Sequence, residues 1–290
     1  YIYYLNKSIT SLLIHGILNN QIIVFSLDRK VERFCKSNKI NTVLFDFSKF
    51  YKINHWEVLR FKQVFQYYFV FRDVDSLIFD NDVIFFNDFQ DDLLKTMNES
   101  IDIQVMDEVL HPRLYSDVNR RSFNFNSGFI FVKSSYSMKL FFQTWIKEGF
   151  KKPKAKSSEN QNRFNEILFK NGTIINRNQE KQYLLFHINL NGGYNISLHI
   201  FNPIKYIDFC SLINSYRFCG KFTKQNIETT IAFSKKMNLS SPNAIHFACA
   251  FEEWKLITLK KVFLLNFSYD SLIVFAYNYS HKENEVKLTK

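Results

Sequence analysis

Residues 73–82 read D-V-D-S-L-I-F-D-N-D and hold two D-x-D triplets, Asp73/Asp75 and Asp80/Asp82. In an extended chain, residues i and i+2 share a face roughly 6.5–7 Å apart. Two carboxylates so placed can share a divalent cation, directly or through water, and hard oxygen ligands suit Mg2+ or Mn2+. Asp80 and Asp82 follow the apolar run 77–79 and precede Val83-Ile84-Phe85-Phe86, which would anchor them to a core. Strand ends of this kind are where an α/β sheet presents its ligands. Asp73 and Asp75 also follow an apolar run, 67–71, so the residues favour the second triplet without forcing it. Acidic pairs at this spacing also occur as plain turn chemistry. His246 lies on the short apolar stretch 244–247, from which an imidazole can reach a strand-end site. Taken alone, it fits a satisfied core histidine better.

The elements that must position these groups follow from hydrophobic periodicity. Short apolar runs at 21–27, 42–47, 77–79, 102–106, 128–132 and 244–247 read as strands. Helical spacing appears at 29–37, at 54–69 with Asn54 as a possible cap, at 136–147 and at 159–169. Alternation of strands and helices predicts an α/β domain with a mainly parallel sheet. The basic, Pro-containing stretch 151–158 predicts a loop, and Asn191-Gly192-Gly193 a turn. After about residue 172 the pattern turns irregular, and the polar tail from 281 predicts a frayed end.

A length of 290 residues with 46% hydrophobic and 22% charged residues is a globular mixture, which excludes disorder over most of the chain. Only 7 Gly and 4 Pro exclude collagen-like and linker compositions. The aromatic share of 18%, dominated by 33 Phe, accompanies abundant Ile, Asn and Lys and does not by itself mark a binding platform. A net charge of +11 fits an anionic partner or a solvated basic surface. No helix-turn-helix, zinc-finger, RRM or KH pattern supports nucleic acid as that partner. Cys35, Cys210, Cys219 and Cys249 form no C-x-x-C pair, which argues against a zinc knuckle or dithiol motif. Cys210 and Cys219 are close enough in sequence to bridge. No run of about eighteen apolar residues offers a membrane span. N-x-S/T sequons start at Asn6, Asn98, Asn171, Asn195, Asn238, Asn266 and Asn278, compatible with the secretory pathway. The first residue is Tyr1, and an anchor or signal ahead of it is an expectation.

The order of blocks then carries more than any one of them. It runs Asp80-Asn81-Asp82-Val83-Ile84-Phe85-Phe86-Asn87-Asp88, Asp102 to Asp107, Phe125-Asn126-Ser127-Gly128-Phe129-Ile130-Phe131-Val132, Trp145, Asn160-Gln161 through Phe164-Asn165, and finally His246 and Lys255. This series resembles the nucleotide-diphospho-sugar transferases, GT-A-fold glycosyltransferases of the kind grouped as glycosyltransferase family 77, over about residues 21–260. The resemblance implies a Rossmann-like mixed sheet flanked by helices, with an irregular C-terminal part. It implies a single domain: 21–170 the nucleotide-sugar-binding core, 171–265 the acceptor side and histidine-bearing segment. It implies Mn2+ or Mg2+ held by Asp80, Asp82 and His246. Donor contacts would come from Asp28, Asp80, Asn126, Gly128 and Lys255, with Gln161 and Asp107 as catalytic candidates. Asp28 also fits a helix N-cap.

The implied activity moves a sugar from a nucleoside-diphosphate donor to a glycan or glycoprotein acceptor, with retention of configuration, in the Golgi lumen or elsewhere in the secretory pathway. Membrane attachment would come only through an anchor outside this chain. The sequence departs from the family pattern at four places. Phe89 stands where Pro follows the D-x-D block. The Gly before that strand is missing, with Asp73 near its place. Asn160 replaces the acid before Gln161, although Glu159 is adjacent. His246-Phe247-Ala248-Cys249 replaces H-x-N-W. These changes leave a second reading, a catalytically inactive binding or scaffold protein on the same fold.

Overall fold

The computed structural model describes residues 2–45, 62–98, 100–107, 125–151, 159–178, 183–202, 205–208 and 242–247. The first helix, α1 (Ile2–Ile14), is one the sequence pattern does not announce. It buries Tyr4, Ile9 and Leu12. β1 (Ile23–Ser26) and β2 (Asn41–Leu44) pair in parallel around α2 (Arg29–Ser37). Asp28 begins α2 as its N-cap, its Oδ1 accepting from Lys30 N at 2.8 Å and Val31 N at 2.9 Å. Lys36 pairs with Glu32 one turn back, with Nζ to Oε1 at 2.6 Å.

Helix α3 (Lys62–Phe71) leads into β3 (Ser76–Phe79) and β4 (Val83–Phe85), followed by α4 (Gln90–Asn98) and β5 (Ile103–Asp107). Strand β6 (Phe125–Val132) precedes two helices, α5 (Tyr136–Lys151) and α6 (Glu159–Lys170). The strands β7 (Gly172–Asn178), β8 (Tyr183–Ile188) and β9 (Tyr194–Ile200) follow, then β10 (Tyr206–Asp208) and β11 (Ala244–His246).

The main sheet has the order β3-β6-β5-β9-β8-β7. Only β5 and β9 run parallel in it; the other four pairings are antiparallel. The expected mixed sheet flanked by helices is therefore present, but it is not mainly parallel. Two of the antiparallel pairings come from β6, which runs against both β3 and β5, and two from a meander of β7, β8 and β9, regular where the sequence pattern turns irregular. β8 and β9 join through Asn191-Gly192-Gly193, all at positive φ. So short a connection can only reverse the strand. β8 alternates half-buried and buried positions along its length, the signature of a strand with one face on the core. A second sheet, β10-β11-β4, carries the distant C-terminal segment beside β4.

Strand β6 is buried at all eight positions, which is why its sequence reads as an apolar run and not as an alternation. Its Ile130 and Val132 enter one core with Val105, Leu198, Phe186 and the helix residues Phe141, Phe142, Trp145 and Phe164. Its Phe129 and Phe131 enter a second core with Ile9 and Leu12 of α1, Cys35, Val83, Phe85 and Phe89. No helix among the described residues is long and apolar enough to cross a membrane.

Trp145 is fully buried, its ring 5.0 Å from that of Phe164 and 5.4 Å from that of Phe142 between centroids. Trp145→Ala empties the contact between α5 and α6. It is expected to lower unfolding free energy by about 3–5 kcal/mol, read from the midpoint of a urea titration followed by circular dichroism.

Candidate metal centre

The β3–β4 connection is a tight turn. Asp80 N donates to Gly128 O at 2.8 Å as the last rung between β3 and β6, and Val83 N donates back to Asp80 O at 3.2 Å. Asn81 and Asp82 therefore occupy the corners of a four-residue turn. The sequence expectation that Asp80 and Asp82 share one face of an extended chain is corrected here, because the chain reverses between them. β11 then runs antiparallel to β4 with His246 opposite Val83. Phe247 N donates to Asp82 O at 3.0 Å, which ties the backbone beside the imidazole to the turn.

The result brings three side chains together. His246 Nε2 lies 3.3 Å from Asp82 Oδ1 and 3.8 Å from Asp80 Oδ2. One ligand atom from each residue falls within 4.8 Å of the other two. The imidazole is buried and the two carboxylates are half-buried. Two oxygens and one nitrogen converging from a turn and a neighbouring strand suit a divalent cation such as Mn2+ or Mg2+. The space around them fits this reading as well. A Cβ on Gly128 would stand 2.5 Å from His246 Cε1 and 2.6 Å from Asp80 Oδ2. Glycine is thus the one residue that lets β6 back against the trio.

Gly128 is held there by a break in the sheet. Val105 pairs with Ile130 and Met106 pairs with Asn126, so one step along β5 corresponds to four along β6. Ser127, Gly128 and Phe129 bulge out of that ladder. Asn126 shapes the bulge by accepting from Gly128 N at 2.6 Å through its Oδ1, an Asx-type turn.

A family model described as nucleotide-diphospho-sugar transferase matches residues 17–252, from ahead of β1 to just beyond β11. The chain belongs to that family. No curated protein and no solved structure matches it.

Within this chain the remaining candidates sort by position. Asp107 is buried at the end of β5, in register with Phe125, the residue before Asn126. Gln161 sits in the first turn of α6. The Asp28 carboxylate caps α2, as its second reading from sequence expects. Lys255, the 151–158 loop beyond Lys151, the Asn54 cap, the 281–290 tail, Cys210, Cys219 and Cys249 lie outside the described residues.

The first triplet goes elsewhere. Asp75 Oδ1 accepts from Ser134 N at 2.7 Å, and Asp73 pairs with Lys139 Nζ at 2.5 Å. The Lys139 ammonium holds the Asp73 carboxyl below the usual carboxylate range, first by its hydrogen bond and then by its charge. Both groups stand at the opposite end of β3 from Asp80, and they fasten that end to the start of α5.

The segment bearing His246 has its own anchor. Asp92 Oδ2 accepts from Tyr206 OH at 3.0 Å and Asn243 Nδ2 at 2.8 Å, which joins α4, β10 and the entry to β11. Burial, with the nearby Asp92 carboxylate adding to it, pushes the Tyr206 hydroxyl far above its ordinary pKa, so it remains a hydrogen-bond donor. Sequence reasoning gave no role to Asp92, Asn243 or Gln66, and named Asn165 only as the end of the Asn160-Gln161 block. Each acts through a contact remote in sequence, which no local spacing encodes.

Gly128→Ala forces a methyl group into the trio. Overpacking of about 1–3 kcal/mol corresponds to roughly a five- to 150-fold loss. Mn2+ affinity measured by calorimetry is expected to fall by that factor while the far-ultraviolet dichroism stays native.

Proposed function

We propose that the chain is a metal-dependent glycosyltransferase that moves a sugar from a nucleoside-diphosphate donor to a glycan or glycoprotein acceptor with retention of configuration. The observation that carries this reading is the convergence of Asp80, Asp82 and His246 in a chain of the nucleotide-diphospho-sugar transferase family. In this reading the three side chains hold Mn2+ or Mg2+. When bound, such a cation offsets the negative charge that grows on the departing diphosphate.

The chain's own residues supply the rest. Asp80 and Asp82 give two anionic oxygens, and neutral His246 gives a ring nitrogen. The turn backbone fixes their spacing before any ligand arrives, which lowers the reorganisation needed during transfer. Gly128 keeps the approach to Asp80 and His246 open, and Asn126 keeps Gly128 in place. Asp107 and Gln161 are the groups proposed to face the reacting sugar. Asp28 and Lys255 are the remaining proposed donor contacts.

The same reading places the enzyme in the Golgi lumen or elsewhere in the secretory pathway. Asn6 and Asn195, two of the sequon asparagines, are exposed, which is compatible with that compartment. Nucleic acid is not a proposed partner.

The test is donor hydrolysis across a panel of uridine- and guanosine-diphosphate sugars with and without Mn2+. Wild type is expected to turn over at least one of them only with the cation. Asp82→Asn is expected to lower Mn2+ affinity by at least about tenfold with folding intact, and His246→Ala to do the same. Mn2+ binding without turnover of any donor or transfer to any acceptor would favour the inactive scaffold, the outcome that Asn160 in place of the family's acid makes specific. Unchanged Mn2+ affinity in both variants would refute the ligand assignment.

A further inference from the structure

The bulge of β6 leaves backbone groups that β5 cannot partner, and buried backbone groups need partners from somewhere. Two helices supply side-chain amides here, Gln66 to Ser127 within the bulge and Asn165 to Phe125 just ahead of it. Gln66 of α3, itself buried, reaches Ser127 O with its Nε2 at 3.4 Å. Asn165 of α6 makes the stronger set. Its Oδ1 accepts from Phe125 N at 2.9 Å, and its Nδ2 donates to Phe125 O at 2.9 Å. One side chain thus exchanges both bonds with one backbone residue, as a strand neighbour would. The second hydrogen of Nδ2 is spent on Gln161 O, also at 2.9 Å.

Phe125 is the residue next to Asn126 and the register partner of Asp107. Asn165 therefore sits at the joint of three candidate groups. It bonds the backbone of Gln161, and it holds the strand that carries Asn126 and faces Asp107. We propose that Asn165 is a positioning residue for sugar transfer, which sets Gln161 on α6 in register with Asn126 and Asp107 at the start of β6. This rests on the transferase reading above. It adds that α6 and β6 must move as one body for the reacting groups to keep their spacing. The metal trio stands on β4, β11 and the turn between β3 and β4, so Asn165 acts on transfer and not on cation binding.

The test compares wild type, Asn165→Ala, Asn165→Asp, Gln161→Ala and the Asn165→Ala/Gln161→Ala double variant. Asn165→Ala is expected to lower kcat by about ten- to a hundredfold. Donor KM and Mn2+ affinity by calorimetry are expected to stay within about twofold. Asn165→Asp keeps the acceptor for Phe125 N and is expected to recover part of the rate. The double variant is expected to lose no more than Gln161→Ala alone, because coupled residues are not additive.

Native kcat per folded molecule in Asn165→Ala, or fully additive losses in the cycle, overturns the proposal. Amide hydrogen exchange by NMR needs no turnover and decides the case where wild type transfers no sugar. Phe125 and Asn126 are expected to exchange at least about tenfold faster in Asn165→Ala while Leu184 to Ile188 keep their protection. Unchanged exchange at Phe125 overturns the clamp. Wild type that binds no Mn2+ and hydrolyses no donor refutes the transferase reading, and the exchange result still stands or falls by itself.

Discussion

Holding two carboxylates and a buried imidazole within 4.8 Å of one another is the constraint around which the rest is arranged. Like charges at that spacing repel, and a buried imidazole surrenders its hydration. Side-chain packing alone would let such a group spread apart. Here the backbone prevents it. Asp80 is pinned by the last rung to Gly128 and by the turn bond from Val83 N, Asp82 by the Phe247 amide, and His246 by its register against Val83. Each ligand is one peptide unit or less from a main-chain hydrogen bond. The carboxylates are thereby held in a geometry that a bound divalent cation would relieve.

That arrangement demands rigid support on both sides. β6 is enclosed between two cores, with Ile130 and Val132 on one face and Phe129 and Phe131 on the other. β4 would present an edge to α1, and Ser11 Oγ closes it by accepting from Phe85 N at 3.1 Å. The far end of the small sheet is tied by Asp92 to Tyr206 and Asn243. α1 and α4 are thus structural parts of the site, although neither carries a candidate ligand. Close-packed neighbours transmit displacement instead of absorbing it, so the trio's spacing depends on residues well removed from it.

The parts of this arrangement legible in the sequence are those that repeat locally. Helix α2 matches its expected span, because a capping Asp28 and strong 3.6-residue periodicity act over a few residues. β6 is visible as an apolar run, and the Asn191-Gly192-Gly193 turn as a glycine pair. Parallel against antiparallel pairing was not legible, since it is settled by which strands meet and not by what each contains. α1 was missed because its polar positions, Asn6, Lys7, Ser8, Thr10 and Ser11, interrupt the apolar stripe. Two of them, Ser8 and Ser11, turn out to be buried. Asp80, Asp82 and His246 could be suspected together only through the ordered blocks of a family pattern. No periodicity joins positions 82 and 246, and the link is a single strand register.

The break in the β5–β6 ladder is the clearest place where local regularity yields to the site. A regular β6 would pair Gly128 with β5 and could not bring Asn126 Oδ1 onto the Gly128 amide. Opening the ladder for three residues leaves main-chain groups without strand partners in a strand buried at every position, where an unpaired group costs about 1–3 kcal/mol. Amide side chains are the natural remedy, because they carry the same donor and acceptor as the peptide they replace. Gln66 fills that role at Ser127 from a helix and Asn126 at Gly128 from the flank of the bulge, while Asn165 on a second helix partners Phe125 just ahead of the opening. An apolar residue at any of the three would pack well and leave a buried peptide group unsatisfied. The abundance of asparagine in this chain therefore has, at these positions, a structural reason that composition alone does not reveal.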